Sequence, residues 1–152
     1  PYPYQVMNLN NYRGISPRTP ENTFAPALDL TVYGQGFGGL GLPGDVSPMS
    51  RFVRVAFLHQ HAVFPEERAG QVSQFFHILD AVSMVRGSVI TPEGRCDETT
   101  YSCCCDARDG VYYYKTYDSG CLHGVRMTEE TTAGSELHCY PLGDKPQFVW
   151  DN

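Results

Sequence analysis

The side chains of this sequence that are best suited to nucleophilic or metal chemistry lie in its second half. Four cysteines and two histidines lie within residues 103–138: Cys103, Cys104, Cys105, Cys121, His123 and His138. A thiolate is a strong nucleophile, and Cys121 and His123 would share one side of a strand. Zinc sites, however, favour ligand pairs spaced as C-x2-C, and cysteines in strands commonly pack as small apolar side chains. The pattern therefore favours packing over a thiol or zinc centre, and no metal site is predicted.

The cysteines are also a candidate disulfide framework, because the chain has six of them and the number is even. Consecutive residues of a strand point to opposite faces, so bridges from Cys103, Cys104 and Cys105 would be difficult to form. A chain of 152 residues is also larger than the small secreted domains that depend on disulfides. We therefore predict reduced thiols and a cytoplasmic location.

A glycine-rich stretch, residues 34–44, is a candidate ligand-binding loop. Six glycines give its backbone the freedom to make a tight loop or to approach a ligand closely. The G-x-x-x-x-G-K-[ST] order of a phosphate-binding loop is absent. Two interpretations stay open: a loop beside a substrate pocket or subunit contact, and a tight structural connection.

Arg51 lies near the start of a predicted helix that ends near His61. Ser47 is a suitable N-cap, and Pro48 fits the first helical position. Apolar residues then follow a helical spacing: Met49, Phe52, Val53, Ala56 and Phe57. A cation in the first turn is unfavourable for the helix dipole, so Arg51 indicates a functional role rather than an ordinary solvated surface.

The periodicity of the second half predicts one more helix and then strands. The helix is indicated by apolar residues at helical spacing, Val72, Phe75, Phe76, Leu79 and Val82, with Arg86-Gly87 as its stop. Alternating residues then predict a hairpin with Asp109-Gly110 in its turn. The predicted strands are residues 99–105, 111–117, 121–127 and 136–142, with 128–135 as the last turn.

This order of elements predicts an α+β fold in which two helices pack on an antiparallel sheet. Tyrosines and cysteines occupy both faces of the predicted hairpin, so neither face is typical of one exposed to water. We therefore expect a second sheet or another chain to cover the face that the helices leave open.

The composition excludes several classes of partner. The net charge is −6, and no dense cluster of lysine or arginine occurs, which disfavours nucleic acid. No apolar run approaches the roughly 20 residues that cross a bilayer, so no membrane association is predicted. The first residues also lack the basic start and apolar stretch of a secretory signal.

Five ordered segments of the sequence resemble the choloylglycine hydrolase family, which includes bile salt hydrolases and penicillin V acylases. The most specific segment is GLGLPGDVSPMSRFVR, residues 39–54. The others are NLNNYR at 8–13, VSQFFHIL at 72–79, TYSCCC at 100–105 and GVYYYKTY at 110–117. Together they extend the resemblance over residues 1–142. The part of the family that the chain resembles is the C-terminal half of the enzyme.

The resemblance implies about half of the four-layer αββα sandwich of N-terminal nucleophile hydrolases. Family members cleave the amide of glycine- or taurine-conjugated bile acids, or the side-chain amide of penicillin V. Their nucleophile is an N-terminal cysteine whose own α-amine takes the thiol proton. No cofactor is implied, and the expected assembly is a cytoplasmic bacterial homo-oligomer, commonly a tetramer.

The resemblance places one catalytic residue in this chain, Arg51, beside the cysteine nucleophile. Because the sequence begins with Pro1, we expect the nucleophile to belong to the N-terminal half of the enzyme, and the isolated chain to be inactive. Gly39, Leu40, Gly41 and Leu42 are the candidate substrate-binding loop.

Three alternatives stay open: a penicillin V acylase, a catalytically inactive fragment or interaction domain, and an enzyme that uses the free secondary amine of Pro1 as a base. We predict a single unit over residues 1–152, with an irregular segment at 1–45, a helical layer at 46–87 and antiparallel strands at 96–142.

Overall fold

The computed structural model describes residues 2–151, and its contacts divide the chain into two compact units, with the division between Val63 and Phe64. Pro1, the candidate amine base, lies outside the described residues. The single unit over residues 1–152 stays a prediction.

The first unit contains two helices and a long irregular segment. Helix α1 is Tyr2–Asn8, followed by a 3₁₀ turn at Leu9–Tyr12, and helix α2 is Pro48–His61. Helix α1 corrects the prediction of an irregular segment over all of residues 1–45. It forms because Pro3 is compatible with the first turn of a helix and because the Tyr2 ring packs edge-on against Phe52 of α2.

The prediction for α2 is confirmed at both ends. The Ser47 hydroxyl accepts a hydrogen bond from the Ser50 amide, and Pro48 occupies the first helical position. The helix ends at His61, and Val53 on its apolar side is 1% exposed.

The second unit packs one helix on a three-stranded sheet. Helix α3 is Arg68–Asp80, which begins before the apolar stripe and ends before the Arg86-Gly87 stop. A two-stranded ladder, β1 at Val89–Ile90 and β2 at Cys96–Asp97, follows. The main sheet contains the strands β3 at Tyr101–Asp106, β4 at Val111–Thr116 and β5 at His123–Arg126, antiparallel and in that order.

The predicted hairpin is confirmed. Cys103 pairs with Tyr114 and Cys105 pairs with Tyr112, so strands β3 and β4 have the alternation expected from the sequence. Gly110 has a φ of 62°, as a turn of this kind requires. The α+β fold with an antiparallel sheet is therefore confirmed, and α3 is the helix that packs on this sheet.

The prediction for residues 128–142 is wrong in two respects. The predicted turn contains a short helix, α4 at Glu129–Ala133, which begins with a capping box between Thr128 and Thr131. Residues 136–142 do not form a strand. Pro141 removes a ladder donor, and the residues that follow it approach the sheet face-on instead of pairing at its edge.

The two faces of the main sheet differ in what covers them. The helix-covered face, which carries Ser102, Cys104, Asp106, Val111, Tyr113 and Lys115, lies against α3. The tyrosine face carries Tyr101, Cys103, Cys105, Tyr112, Tyr114, Thr116, His123 and Val125. Within the described residues, the segment around Gly143 lies on this second face, where the Gly143 amide donates to the Tyr114 hydroxyl at 3.3 Å.

The apolar core of the described residues is small. Four apolar side chains are buried, Val53, Phe76, Ile78 and Val111, whereas 25 large hydrophobic side chains are exposed. Exposed apolar area on this scale is typical of surfaces that other protein covers. No helix among residues 2–151 is both long and apolar enough to span a membrane.

Candidate active site

The candidate catalytic residue, Arg51, lies in the first turn of α2. Its amide donates to the Ser47 carbonyl at 3.0 Å, which is the first regular helical hydrogen bond of this turn. The Nε atom of its guanidinium is buried and has no hydrogen-bond partner among the described residues. A buried N–H without an acceptor is costly, so this donor is suited to an acceptor from outside residues 2–151.

The turn that leads into α2 is organised around the carboxylate of Asp45. Its Oδ1 accepts from the Ser47 amide at 2.9 Å, and its Oδ2 accepts from the Ser50 hydroxyl at 2.6 Å. The Ser47 hydroxyl in turn donates to the Ser50 hydroxyl at 3.1 Å. Hydrogen bonds from Ser47 and Ser50 lower the pKa of Asp45 to about 2, so this carboxylate is ionised at neutral pH.

Arg54, one turn further along α2, binds the backbone of the same segment. Its Nη1 donates to the carbonyl of Pro43 at 2.8 Å and to the carbonyl of Asp45 at 2.6 Å. Residues 43–47 are therefore fixed to the first two turns of α2 by both their side chains and their backbone.

The candidate loop, Gly39, Leu40, Gly41 and Leu42, precedes this segment. Gly41 has a φ of 97°, which favours glycine. Leu40 is 73% exposed, whereas Leu42 lines a cavity of about 190 Å³ together with apolar residues of α2. No hydrogen bond within the described residues joins the loop to the Arg51 side chain. The structure thus leaves Leu40 as the loop side chain most open to a ligand.

Close packing, rather than ligand approach, explains the glycine just before the loop. Gly38 is buried, and a Cβ atom there would collide with the backbone carbonyls of Ser16 and Arg18. Its own carbonyl accepts from the Ser16 amide at 2.9 Å. The glycine-rich stretch therefore serves tight packing at Gly38, while its exposed part begins at Leu40.

The six cysteines are free thiols in the structure. Burial raises the pKa of Cys104, which lowers its thiolate fraction at neutral pH. His123 stacks on the ring of Tyr114, with ring centroids 5.1 Å apart. Within residues 2–151, no group of three or more His, Cys, Asp or Glu side chains is placed to hold a metal ion.

Sequence reasoning missed the part that Asp45 and Ser50 play in this site. An aspartate two residues before the N-cap and a serine three residues after it have the spacing of a side-chain network at a helix start. That D-x-S-x-x-S pattern was the available signal, and only the structure shows that the three side chains bond to one another.

The sequence profile described as "Linear amide C–N hydrolases, choloylglycine hydrolase family" matches residues 1–140. The chain belongs to the choloylglycine hydrolase family. The match includes α2, the Asp45 segment and the β3–β4 hairpin, so the resemblance suggested by the five sequence segments is confirmed.

Relatives in this family carry bile salt names. The bile salt hydrolase/transferase of Lactiplantibacillus plantarum is 46% identical over 147 residues, which cover 97% of this chain and 45% of the relative. The protein of the same name from Clostridium perfringens is 40% identical over 139 residues, covering 91% of this chain and 42% of the relative.

A solved structure agrees with these sequence matches. The crystal structure of a mutant conjugated bile acid hydrolase from Clostridium perfringens matches with a TM-score of 0.86 and 36% identity. It covers 100% of this chain and 46% of that protein. The chain therefore spans about half the length of the family members it matches, and its fold is a part of the N-terminal nucleophile hydrolase fold.

Proposed function

We propose that this chain is the Arg51-bearing part of an enzyme that hydrolyses glycine- or taurine-conjugated bile acids. The observation that carries the proposal is the 46% identity to the Lactiplantibacillus plantarum bile salt hydrolase/transferase over 97% of the chain. Arg51 supports it, because a buried and unpartnered guanidinium donor at the start of α2 is suited to a group supplied by the rest of the enzyme.

In the proposed reaction the nucleophile is a cysteine thiolate outside these 152 residues. An α-amine with an ordinary pKa of about 7.7–8.0 takes the thiol proton near neutral pH. The thiolate attacks the amide carbonyl carbon, the C–N bond breaks, and the amine leaves with a proton as glycine or taurine. Water then cleaves the thioester, which releases the bile acid and restores the thiol.

Arg51 contributes a positive charge beside the nucleophile in this scheme. A nearby cation favours the thiolate over the thiol and lowers the cysteine pKa. The guanidinium also has fixed N–H directions, so it can orient the group that it binds. Leu40 is proposed to contact the apolar steroid, because it is the most exposed apolar side chain of the candidate loop.

The proposed partner is the N-terminal half of the same enzyme. Its sheet would cover the tyrosine face, where five tyrosines are among the residues that line a cavity of about 470 Å³. Cytoplasmic location and homo-oligomeric assembly remain predictions that follow from the family.

A hybrid protein tests the proposal most directly. In this hybrid, the chain replaces the segment that it matches in the Lactiplantibacillus plantarum relative, so that the relative supplies the rest of the fold. We expect the hybrid to release glycine and taurine from glycocholate and taurocholate. In the hybrid, Arg51→Ala should lower kcat by about 100-fold, and Arg51→Lys by less, because the lysine keeps the charge without the fork of donors.

The candidate loop has its own matched pair of variants. Leu40→Ala should raise KM by about 10-fold with little change in kcat, as expected for lost apolar binding. Leu30→Ala, an exposed leucine of the irregular segment, is the control and should leave both constants unchanged. A folded hybrid without turnover of either bile salt would contradict the proposed function.

The same assay decides among the alternatives. Penicillin V is given to the hybrid as a second substrate. Faster cleavage of penicillin V than of the bile salts would favour the penicillin V acylase. The isolated chain should show no turnover of glycocholate. If the isolated chain hydrolyses glycocholate and still does so after treatment with a thiol-blocking reagent, the proposed external cysteine nucleophile is wrong. If the chain binds the N-terminal half stably but the complex shows no turnover, the interaction domain is favoured.

A further inference from the structure

We propose that Asp45 is a positioning residue that holds Arg51 in its working orientation through the first turn of α2. This role rests on the proposed function, because it assigns to Asp45 the task of placing the cation beside the nucleophile. Asp45 itself need not touch the substrate.

The carboxylate of Asp45 joins the two serines that define this turn. One oxygen accepts from the amide of the N-cap residue, Ser47, and the other accepts from the hydroxyl of Ser50 at 2.6 Å. Ser50 is 9% exposed and directly precedes Arg51. A change at Asp45 therefore acts on the residue next to the guanidinium without passing through solvent.

The backbone of Asp45 is fixed as well as its side chain. Its carbonyl accepts from Arg54 at 2.6 Å, and the neighbouring Pro43 carbonyl accepts from the same nitrogen at 2.8 Å. The segment before the helix and the first two turns of the helix thus form one closed set of hydrogen bonds. Such a set has a single low-energy arrangement, so it can hold an orientation that one bond alone would leave loose.

Arg51 depends on this arrangement because its Nε has no hydrogen-bond partner of its own in the described residues. The helix that bears Arg51 sets the direction in which its side chain leaves the backbone, and successive residues of a helix differ by about 100° in that direction. Unwinding the first turn would therefore redirect the guanidinium by a large angle. Displacements of about 1 Å in a positioned catalytic group can cost about 100-fold in rate.

Charge supports the same assignment. A cation at the N-terminal end of a helix is unfavourable, and a carboxylate at that end is favourable. Asp45 is ionised at neutral pH because hydrogen bonds from Ser47 and Ser50 hold the pKa of its carboxyl at about 2. The anion at this helix end thus offsets the cost of keeping Arg51 there.

Kinetics of the hybrid protein provide the first test. Asp45→Ala should lower kcat by about 10-fold or more and leave KM within about 2-fold, and Asp45→Asn should lower kcat by less. Asp29→Ala is the matched control, because Asp29 is an exposed aspartate of the same unit that accepts one side-chain hydrogen bond, from Thr31 at 3.3 Å. It should leave kcat unchanged.

A double-mutant cycle separates positioning from general destabilisation. If Asp45 acts through Arg51, adding Asp45→Ala to Arg51→Ala should change kcat by less than about 2-fold. If the kcat loss of the double variant equals the product of the two single losses, the proposal is overturned. An unchanged kcat in Asp45→Ala alone would also overturn it.

A second measurement does not depend on turnover. The Nε–H NMR resonance of Arg51 in the hybrid, assigned by its loss in Arg51→Lys, should move in Asp45→Ala and in the milder Ser50→Ala, but not in Asp29→Ala. A resonance that stays in place in both variants overturns the positioning role. A hybrid that shows this shift but hydrolyses no bile salt would contradict the proposed function while leaving the coupling of Asp45 to Arg51 established.

Discussion

Both faces of the β3–β4–β5 sheet carry large side chains, yet within residues 2–151 a helix covers only one of them. On the helix-covered face, Arg68 of α3 forms an ion pair with Asp106 at 2.8 Å, and Lys115 approaches the ring of Phe76 at 5.8 Å. On the tyrosine face, Tyr101 is 59% exposed and Cys105 is also exposed. One face is therefore packed by a helix of the chain itself, and the other is left partly open.

The difference in cover between the two faces shows where the core formed by this chain ends. Sheets with apolar residues on both faces need cover on both. Helix α3 covers one face, whereas among residues 2–151 the other face has only the short segment around Gly143. We infer that the tyrosine face is an interior surface of the complete enzyme.

The largest expected loss of stability comes from truncating a buried side chain at the helix-covered face. Phe76→Ala should lower the free energy of unfolding by about 3–5 kcal/mol, because the Phe76 side chain is 3% exposed and its loss leaves a cavity. Tyr101→Ala, on the tyrosine face, should cost less than about 1 kcal/mol in the chain alone. Urea unfolding of the two variants, followed by circular dichroism, measures both. Equal losses would mean that the two faces are equally packed.

The next effect concerns the ion pair that ties α3 to the packed face. Asp106 accepts from Arg68 and from the amides of Arg108 and Asp109, and its side chain is 7% exposed. Asp106→Ala should therefore cost about 1–3 kcal/mol, since three donors lose an acceptor whose side chain is largely buried.

Asp109 supplies the control for that prediction, because it meets the same arginine at 3.3 Å but its side chain is 45% exposed. Asp109→Ala should change the free energy of unfolding by no more than about 0.5 kcal/mol, as is usual for surface pairs. Chemical denaturation compares the two variants, and an Asp106→Ala loss as small as that of Asp109→Ala would contradict the account.

The smallest expected effect is spectroscopic and concerns the tyrosine face. The hydrogen bond between Tyr112 and Cys103, together with partial burial, raises the pKa of Tyr112 to about 12. The folded state thus holds this proton more tightly than the unfolded state, whose tyrosine pKa is about 10. The contribution of the Tyr112 hydroxyl to the free energy of unfolding is fully present below about pH 10. It is lost as the pH rises from about 10 to about 12.

A difference titration isolates this group. Tyrosinate absorbance, recorded by rapid pH jump before unfolding, should differ between the unchanged chain and Tyr112→Phe, with a midpoint near pH 12. A midpoint near the ordinary value of about 10 would show that the tyrosine face is more open than its contacts indicate.

The sequence predicted the fold best where local signals and packing agree. Ser47-Pro48 marked the start of α2, and the alternation of the hairpin set the register of Cys103 against Tyr114. It failed at residues 136–142, because alternation alone cannot tell a strand from an extended segment that lies across a sheet. It also missed α1, whose support comes from the ring of Phe52, a contact between residues far apart in sequence.

The candidate site was predictable in part for the same reason. The motif identified Arg51 and the loop at residues 39–42, but not the network that Asp45, Ser50 and Arg54 form around the start of α2. Side-chain networks of this kind depend on rotamers and on tertiary distances, which residue types and spacing do not determine.

Thiol alkylation tests the central claim, that the tyrosine face is interior in the complete enzyme. Cys105 on this face and Cys96 on β2 are both exposed in the chain alone, so both should react readily with N-ethylmaleimide, as read by site-resolved mass spectrometry. In the hybrid protein, the Cys105 rate should fall by at least about 10-fold while the Cys96 rate stays the same, because the tyrosine face becomes covered and β2 is not part of that face. An active hybrid in which Cys105 reacts as fast as it does in the chain alone would contradict the claim.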